Sequence, residues 1–349
     1  MSNISQFDTN FKIETNINAP DLCFRDALSS PFKIYGVFYE NGKFRRMPQD
    51  IAQKVSPGVD VFHAHTAGGR IRFKTDSPYI AIHAKMSGIG KMSHFALCGS
   101  AGFDLYIGNQ FYASFMPPFD IKDGYEGIIH FPSAEMRDIT LHFPLYSNVD
   151  SLYIGLKDDA LLCEPLPYAI EKPMVYYGST ITQGGCASRP GTAYQGFVSR
   201  ALDADYINLG FSGNAKGEPE ISAYIQGLSM SAFVYDYDHN APTAEHLSAT
   251  HERMFLEIRK CHPHLPIIML SRPKRYYNQD EEKRFAIIQA TYENAIAKGD
   301  KNVYLIDGRT LMQVADSEGT VDGCHPTDLG FFSIAQELIK QFKHIFHTP

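Results

Sequence analysis

The hydrophobic pattern of this chain changes period near Lys157. Before that point apolar residues come in short runs such as FKIYGVFYENGKFRR, RIRFKTDSPYIAIHAKM, GFDLYIGNQFYASF, GIIHFPS and DITLHFPLY. These runs are rich in β-branched and aromatic residues. Gly, Pro, Asn or Asp breaks them at intervals of roughly ten residues, as expected for short strands joined by tight turns. Asn41-Gly42 lies between two such runs and predicts a hairpin, because both residues tolerate the positive φ of a primed turn. Many short strands at this spacing predict an all-β sandwich or jelly roll.

The stretch LLCEPLPYAIEKP carries three prolines and no regular period. It places a domain boundary, giving a β-domain over residues 1–165 and a second domain over 166–349. In the second domain, short apolar runs (PMVYY, DYINLGF, SAFVYDYD, LPIIMLS, NVYLID) alternate with stretches of helical period. Ala193, Phe197, Val198, Ala201 and Leu202 share one helical face, as do Leu247, Met254, Phe255 and Ile258. Pro219 suits a first helical turn. Asp280 is the predicted cap of a helix that stops at Gly299, and DLGFFSIAQELIKQF reads as the final helix. Alternation of this kind builds a parallel sheet covered by helices on both faces.

Composition narrows the function. The hydrophobic share of 44% and charged share of 20% supply ample core material for two domains. A formal net charge of −7 offers no basic surface to neutralise phosphates, so nucleic acid is not an expected partner. No apolar run approaches the ~20 residues that span a bilayer, and a membrane is not an expected partner either. The polar start MSNISQFDTNFKIETNI lacks the charged-then-apolar pattern of a secretory signal, which predicts a cytoplasmic protein or one whose signal was trimmed. The six cysteines form no CxxC pair, so neither a zinc site nor a dense disulfide framework is expected, and reduced thiols fit best. Asp236, Asp238 and His239 crowd one loop, but their spacing matches no strong ligand pattern.

Ligands of open parallel sheets bind beyond the carboxyl ends of the strands. The loops there read GSTITQGG, GFSGNA and HNAPT, and DGCHPTDLG precedes the last helix. Together they supply a hydroxyl, a glycine amide, a carboxamide, a carboxylate and an imidazole, the parts of an acyl-transfer site. A hydroxyl needs a base to become a nucleophile. His325 can take that proton, and Asp322 can hold the ring in the right tautomer from the same turn. The backbone N–H at the nucleophile, the N–H of Gly213 and the side-chain amide of Asn240 can receive the developing oxyanion.

These four segments, in this order, resemble the blocks of the SGNH (GDSL-type) esterase superfamily. The chain is most similar to two-domain members whose N-terminal β-domain carries a G-x-D-L-Y motif, here Gly102-Phe103-Asp104-Leu105-Tyr106. The resemblance spans most of the chain. It implies a three-layer α/β/α sandwich of flavodoxin-like type and hydrolysis of carboxylic esters, with no metal or organic cofactor. Members with an N-terminal β-sandwich are often carbohydrate deacetylases, which makes a small-molecule or glycan ester the expected substrate and the chain an expected acetylesterase. The absence of Trp removes the strongest sugar-stacking platform, although Tyr and Phe can serve.

One position departs from the family. Relatives tend to read G-[ST]-S-I-T, whereas this chain reads G-S-T-I-T, so the nucleophilic serine falls on Thr180 with Ser179 before it. Threonine is stiff at χ1 and its methyl crowds one staggered position, hindering attack. Ser179 is the other candidate nucleophile, although neighbouring side chains diverge. A catalytically impaired protein that binds an acylated sugar or other small ligand is the alternative function. Each residue also has a plainer role open to it. Ser179 and Thr180 can cap a helix, and Gly213 and Asn240 can be ordinary turn residues. Arg189 can hold an anionic or hydroxylated substrate or form a salt bridge. Cys186 and Cys324 can be reactive thiols or small packing residues, and Asp104 and Tyr106 can tie the β-domain together or face the cleft.

Overall fold

Inward and outward side chains alternate along the strands of the first half, and the inward set closes a single core between two sheets. The computed structural model describes residues 13–346, so most of the polar N-terminal stretch lies outside the described residues. One antiparallel sheet runs Leu22–Asp26, Ser151–Lys157, Tyr79–Lys85, Gly124–His130. The other runs Leu162–Cys163, Arg70–Thr75, Arg137–His142, Phe103–Ile107, Gln110–Phe115, with Lys33–Tyr35 added beside Arg70–Thr75. Ile80, Ile82, Leu152 and Ile154 of the first meet Ile71, Phe73, Leu105, Ile139 and Leu141 of the second. Each position two residues on returns to the same face, which is why a period of two packs a sandwich. Asn41 and Gly42, both at positive φ, turn the hairpin Phe38–Glu40 to Lys43–Arg45 as the sequence predicts.

The second half is a five-stranded parallel sheet in the order Ala204–Gly210, Ile170–Gly178, Ala232–Asp236, Ile267–Leu270, Val303–Ile306. Its first strand in sequence, Ile170–Gly178, is flanked by the second and third, so the order reverses there and opens a crevice at its carboxyl end. Met174 and Tyr176 face helices Tyr194–Leu202 and Asp328–Phe346, whereas Val175 and Tyr177 face helices Pro219–Gln226, Ala244–Cys261 and Gln279–Ala297. That is the three-layer arrangement.

Two details differ from the sequence reading. Asn278, not Asp280, caps the helix Gln279–Ala297: its side chain accepts from the Glu281 N–H and Glu281 reaches back to the Asn278 N–H. Asp280 lies in the first turn, where its charge suits the dipole instead.

The first half is also not purely β. Helices Gln49–Val55 and Pro57–Phe62 interrupt it, and Met47, Ala52 and Val59 are buried in the core of the α/β domain with Ile221 and Ile225. Arg46, at the start of this segment, is buried, and among the described residues it has no carboxylate partner. Its guanidinium donates to the carbonyls of His65, Phe62, Asn208 and Gly210 at 2.5–3.0 Å. It thereby ties the β-domain to the end of the strand Ala204–Gly210.

Candidate active site

Gly178 ends the strand Ile170–Gly178, and only glycine fits there: a Cβ would stand 1.6 Å from Asp236 Oδ1. The missing side chain lets Asp236 reach under the turn. It accepts the Thr182 hydroxyl and, at 3.4 Å, the Ser179 N–H. Burial pushes the Asp236 carboxyl up to about 7, so near neutral pH it can retain a proton beneath the turn.

Ser179 and Thr180 then take opposite roles. Ser179 is fully buried, and its Oγ accepts the Ile181 N–H at 3.1 Å as the cap of the short helix Thr180–Gln183. This is the plain capping role open to it from sequence. Thr180 is partly exposed at the helix start, with Oγ1 3.0 Å from Ser212 Oγ. Its methyl lies over Gly185, where a Cβ would come within 2.6 Å of Cγ2.

Ser212 and Gly213 follow the neighbouring strand. The Ser212 N–H donates to Gln183 Oε1 at 3.0 Å, and Gln183 Nε2 donates to the Leu145 carbonyl of the β-domain at 3.2 Å. Gly213 sits at φ +68 with open space where a Cβ would go. Its left-handed backbone is therefore the reason for glycine. Asn240 reaches the same loop from the third strand, donating from Nδ2 to the Phe211 carbonyl at 3.2 Å. An amide carries two N–H donors, so one remains.

His325 and Asp322 lie on one turn before the last helix. His325 Nδ1 is 2.7 Å from Asp322 Oδ2, and the backbone N–H groups of His325 and Cys324 donate to Oδ1 at 2.8 and 3.0 Å. Burial works upward on the Asp322 carboxyl, but these amides and the imidazole outweigh it and hold it at about 2. Asp322 thus remains a carboxylate, able to keep a proton on Nδ1 and leave Nε2 as the acceptor.

Asp328 brings this turn against the first loop by accepting from the Ser188 N–H and hydroxyl and the Thr192 hydroxyl. Cys186 lies between the two, at φ +74. Burial, with help from Asp322 and Cys324, pushes its thiol up to about 12. His94, from the β-domain, stands beside His325 with ring centroids 5.5 Å apart. No sequence motif marks His94, and although Gln183 and Ser212 lie inside the quoted loops, nothing in the sequence gives them a role there; the folded chain brings all three here.

Arg189 lies in the domain junction. Its guanidinium donates to Asp104 Oδ2 at 3.0 Å and to the Tyr106 hydroxyl, and stacks 3.8 Å over the Phe111 ring. Asp104, fully buried, also receives the Gly191 N–H and pairs with His142. The G-x-D-L-Y residues therefore tie the β-domain to the loop that follows Thr180, and Arg189 is the other half of that tie. Asp238 is likewise occupied, by the Arg272 and His239 N–H groups. Among the described residues, no helix is long and apolar enough to cross a membrane.

Two family models match the chain: the GDSL-like lipase/acylhydrolase family over residues 171–343 and the GxDLY domain, the N-terminus of SGNH-hydrolase-type esterases, over residues 22–162. Among curated proteins, none matches in sequence. Solved structures do match. A candidate GDSL-like lipase from Bacteroides ovatus is 28% identical, with 93% of this chain and 98% of that one covered and a TM-score of 0.84. A salicylyl-acyltransferase from a tetracycline biosynthetic pathway is 18% identical over 95% and 99% of the two chains, at a TM-score of 0.79. A family-two carbohydrate esterase from Clostridium thermocellum, solved with cellohexaose, is 11% identical over 90% and 99%, at 0.64. At those last two identities the likeness is one of fold. With both family models in chain order and the fold and motif residues described above, the chain belongs to the SGNH (GDSL-type) esterase and acylhydrolase family, as a two-domain member with a GxDLY N-terminal domain.

Proposed function

We propose that this protein hydrolyses carboxylic esters, with O-acetyl groups on a carbohydrate as the substrate class, and that Thr180 is its nucleophile. The observation that carries the reading is the division of labour at the turn. Ser179 is buried with its oxygen committed to a helix cap, while Thr180 presents its hydroxyl at the carboxyl end of the strand Ile170–Gly178.

In this reading the Thr180 hydroxyl leaves Ser212 and gives its proton to His325 Nε2 as its oxygen attacks the ester carbonyl. Asp322 holds the imidazolium that forms. The N–H groups of Thr180 and Gly213 and the free donor of Asn240 receive the oxyanion. His325 then returns the proton to the departing sugar oxygen, and water releases acetate by the same steps. The alternative, a protein that binds an acylated sugar with little turnover, draws support from the Thr180 methyl over Gly185, which restricts the rotation that attack requires.

A serine-type phosphonate probe separates the two. Peptide mapping is expected to place the label on Thr180, and the label is expected to vanish in His325→Ala. A label that survives unchanged in His325→Ala overturns the assignment of the base.

A further inference from the structure

Three metal-binding side chains from distant parts of the chain converge at the mouth of the site. His94 comes from the β-domain, Cys186 from the loop after Thr180, and His325 from the turn before the last helix. One ligand atom from each lies within 4.8 Å of the other two. We propose that these residues form a binding site for a thiophilic divalent cation, zinc by its ligand chemistry, and that its occupancy closes the hydrolytic site. The metal site stands on its own donors, whereas its inhibitory effect rests on the proposed role of His325 as the base of hydrolysis.

The donor set argues for zinc. One thiolate and two imidazoles favour zinc or copper over magnesium or calcium, which take oxygen. Around a tetrahedral zinc, bonds of about 2.3 Å to sulfur and about 2.0 Å to nitrogen put the donors roughly 3.5 Å apart. The present cluster reaches that spacing by a shift of about an ångström, and His94, exposed on its loop, is free to swing.

The surroundings agree. His325 Nδ1 is held by Asp322 at 2.7 Å, which leaves the lone pair of Nε2 for a metal. A carboxylate behind a ligating imidazole is the usual outer support of a zinc site. Cys186 is held at φ +74, a backbone region that non-glycine residues occupy at a cost. That conformation sets its thiol beside both imidazoles. Three protein ligands leave a fourth position for water.

Binding forms one S–Zn and two N–Zn bonds. The Cys186 thiol proton passes to solvent, and no electron changes hands. The functional consequence is direct: the Nε2 lone pair that would accept the nucleophile's proton is occupied by the metal. Zinc is then a reversible inhibitor, and the β-domain supplies one arm of the lock.

The test uses the full chain stripped of metal by a chelator. Cobalt(II) is added while the thiolate-to-cobalt charge-transfer absorption is followed, and zinc affinity is measured by competition with a chromogenic chelator. One equivalent of cobalt is expected to raise the band. Cys186→Ser is expected to abolish it, and Cys324→Ser to leave it. His94→Ala, at an exposed position, is expected to weaken zinc by more than the roughly tenfold that loss of an outer-shell partner costs. On an ester substrate, zinc should inhibit the wild type, and His94→Ala should keep its basal rate while losing that inhibition. A band that persists in Cys186→Ser, or a zinc affinity unchanged in His94→Ala, overturns the site. Because the cobalt readout needs no turnover, failure of this proposal and failure of the hydrolase reading are distinguishable.

Discussion

Two aspartate–histidine pairs of nearly equal length sit in opposite settings. Asp104 and His142 meet at 2.8 Å with side chains 0% and 5% exposed. Asp322 and His325 meet at 2.7 Å with side chains 40% and 25% exposed. The first pair is closed in by Arg189 and the Gly191 N–H and joins two domains. In the second, Asp322 holds Nδ1 of the imidazole, and among the described residues Nε2 has no hydrogen-bond partner. A carboxylate on an imidazole therefore does not mark a base by itself. What the proposed function requires of the second pair, beyond that contact, is an unoccupied far nitrogen and a hydroxyl for it to deprotonate.

Substitutions should pull the two pairs apart. His325→Ala is expected to lower kcat by about ten-thousandfold, ~5.5 kcal/mol of transition-state stabilisation, with the unfolding midpoint unchanged. Asp104→Ala is expected to do the reverse. It strands Arg189 and so costs about 3–5 kcal/mol of stability in denaturant titration, while the protein that stays folded keeps its turnover. Loss of activity in step with the folded fraction is the expected pattern there. A fall in kcat at full folding would move Asp104 into the chemistry.

Smaller effects sharpen the picture. Asn240→Ala is expected to cost about a hundredfold in kcat, ~2.7 kcal/mol, with little change in KM, as loss of one oxyanion donor does. Ser179→Ala removes a helix cap, so about 1 kcal/mol of stability should go while activity remains. If the Ser179 variant is instead inactive and fully stable, the two hydroxyls have been assigned the wrong way round.

Acid unfolding tests the buried pair separately. Burial opposes the charge on Asp104, but His142, Arg189 and the Gly191 N–H outweigh it and hold its carboxyl below the usual range. A carboxyl depressed in the folded state stabilises the protein above its unfolded value, and that stability is lost as pH falls through the folded value. Stability should therefore fall below about pH 4 in the wild type, and less steeply in Asp104→Asn.

What the sequence disclosed follows from how local each signal is. The two sheets and their helices came through because period two and period 3.6 are written into consecutive residues. The pairing of Asp322 with His325 is legible in sequence because a single turn holds both. The roles of Ser179 and Thr180 stayed open because adjacent hydroxyls look alike until a helix starts at one of them and makes the other its cap. Arg189 stayed open because its partners, Asp104 and Tyr106, lie more than eighty residues away in sequence. His94 was missed for the same reason, in a loop with no motif of its own. The segment from Arg46 to Phe62 was read with the β-domain, yet its apolar residues serve the other core. Tertiary packing chose that partner, and no local pattern could name it.

The central claim is that Thr180, not Ser179, stands in the nucleophile's place. Hydrolysis of a small activated acetate ester by wild type, Thr180→Ser and Thr180→Ala, side by side, tests it most directly. The account predicts turnover by wild type, a rate about tenfold higher for Thr180→Ser as a barrier lowered by ~1.4 kcal/mol requires, and none above buffer for Thr180→Ala. Equal turnover by Thr180→Ala and wild type would contradict it.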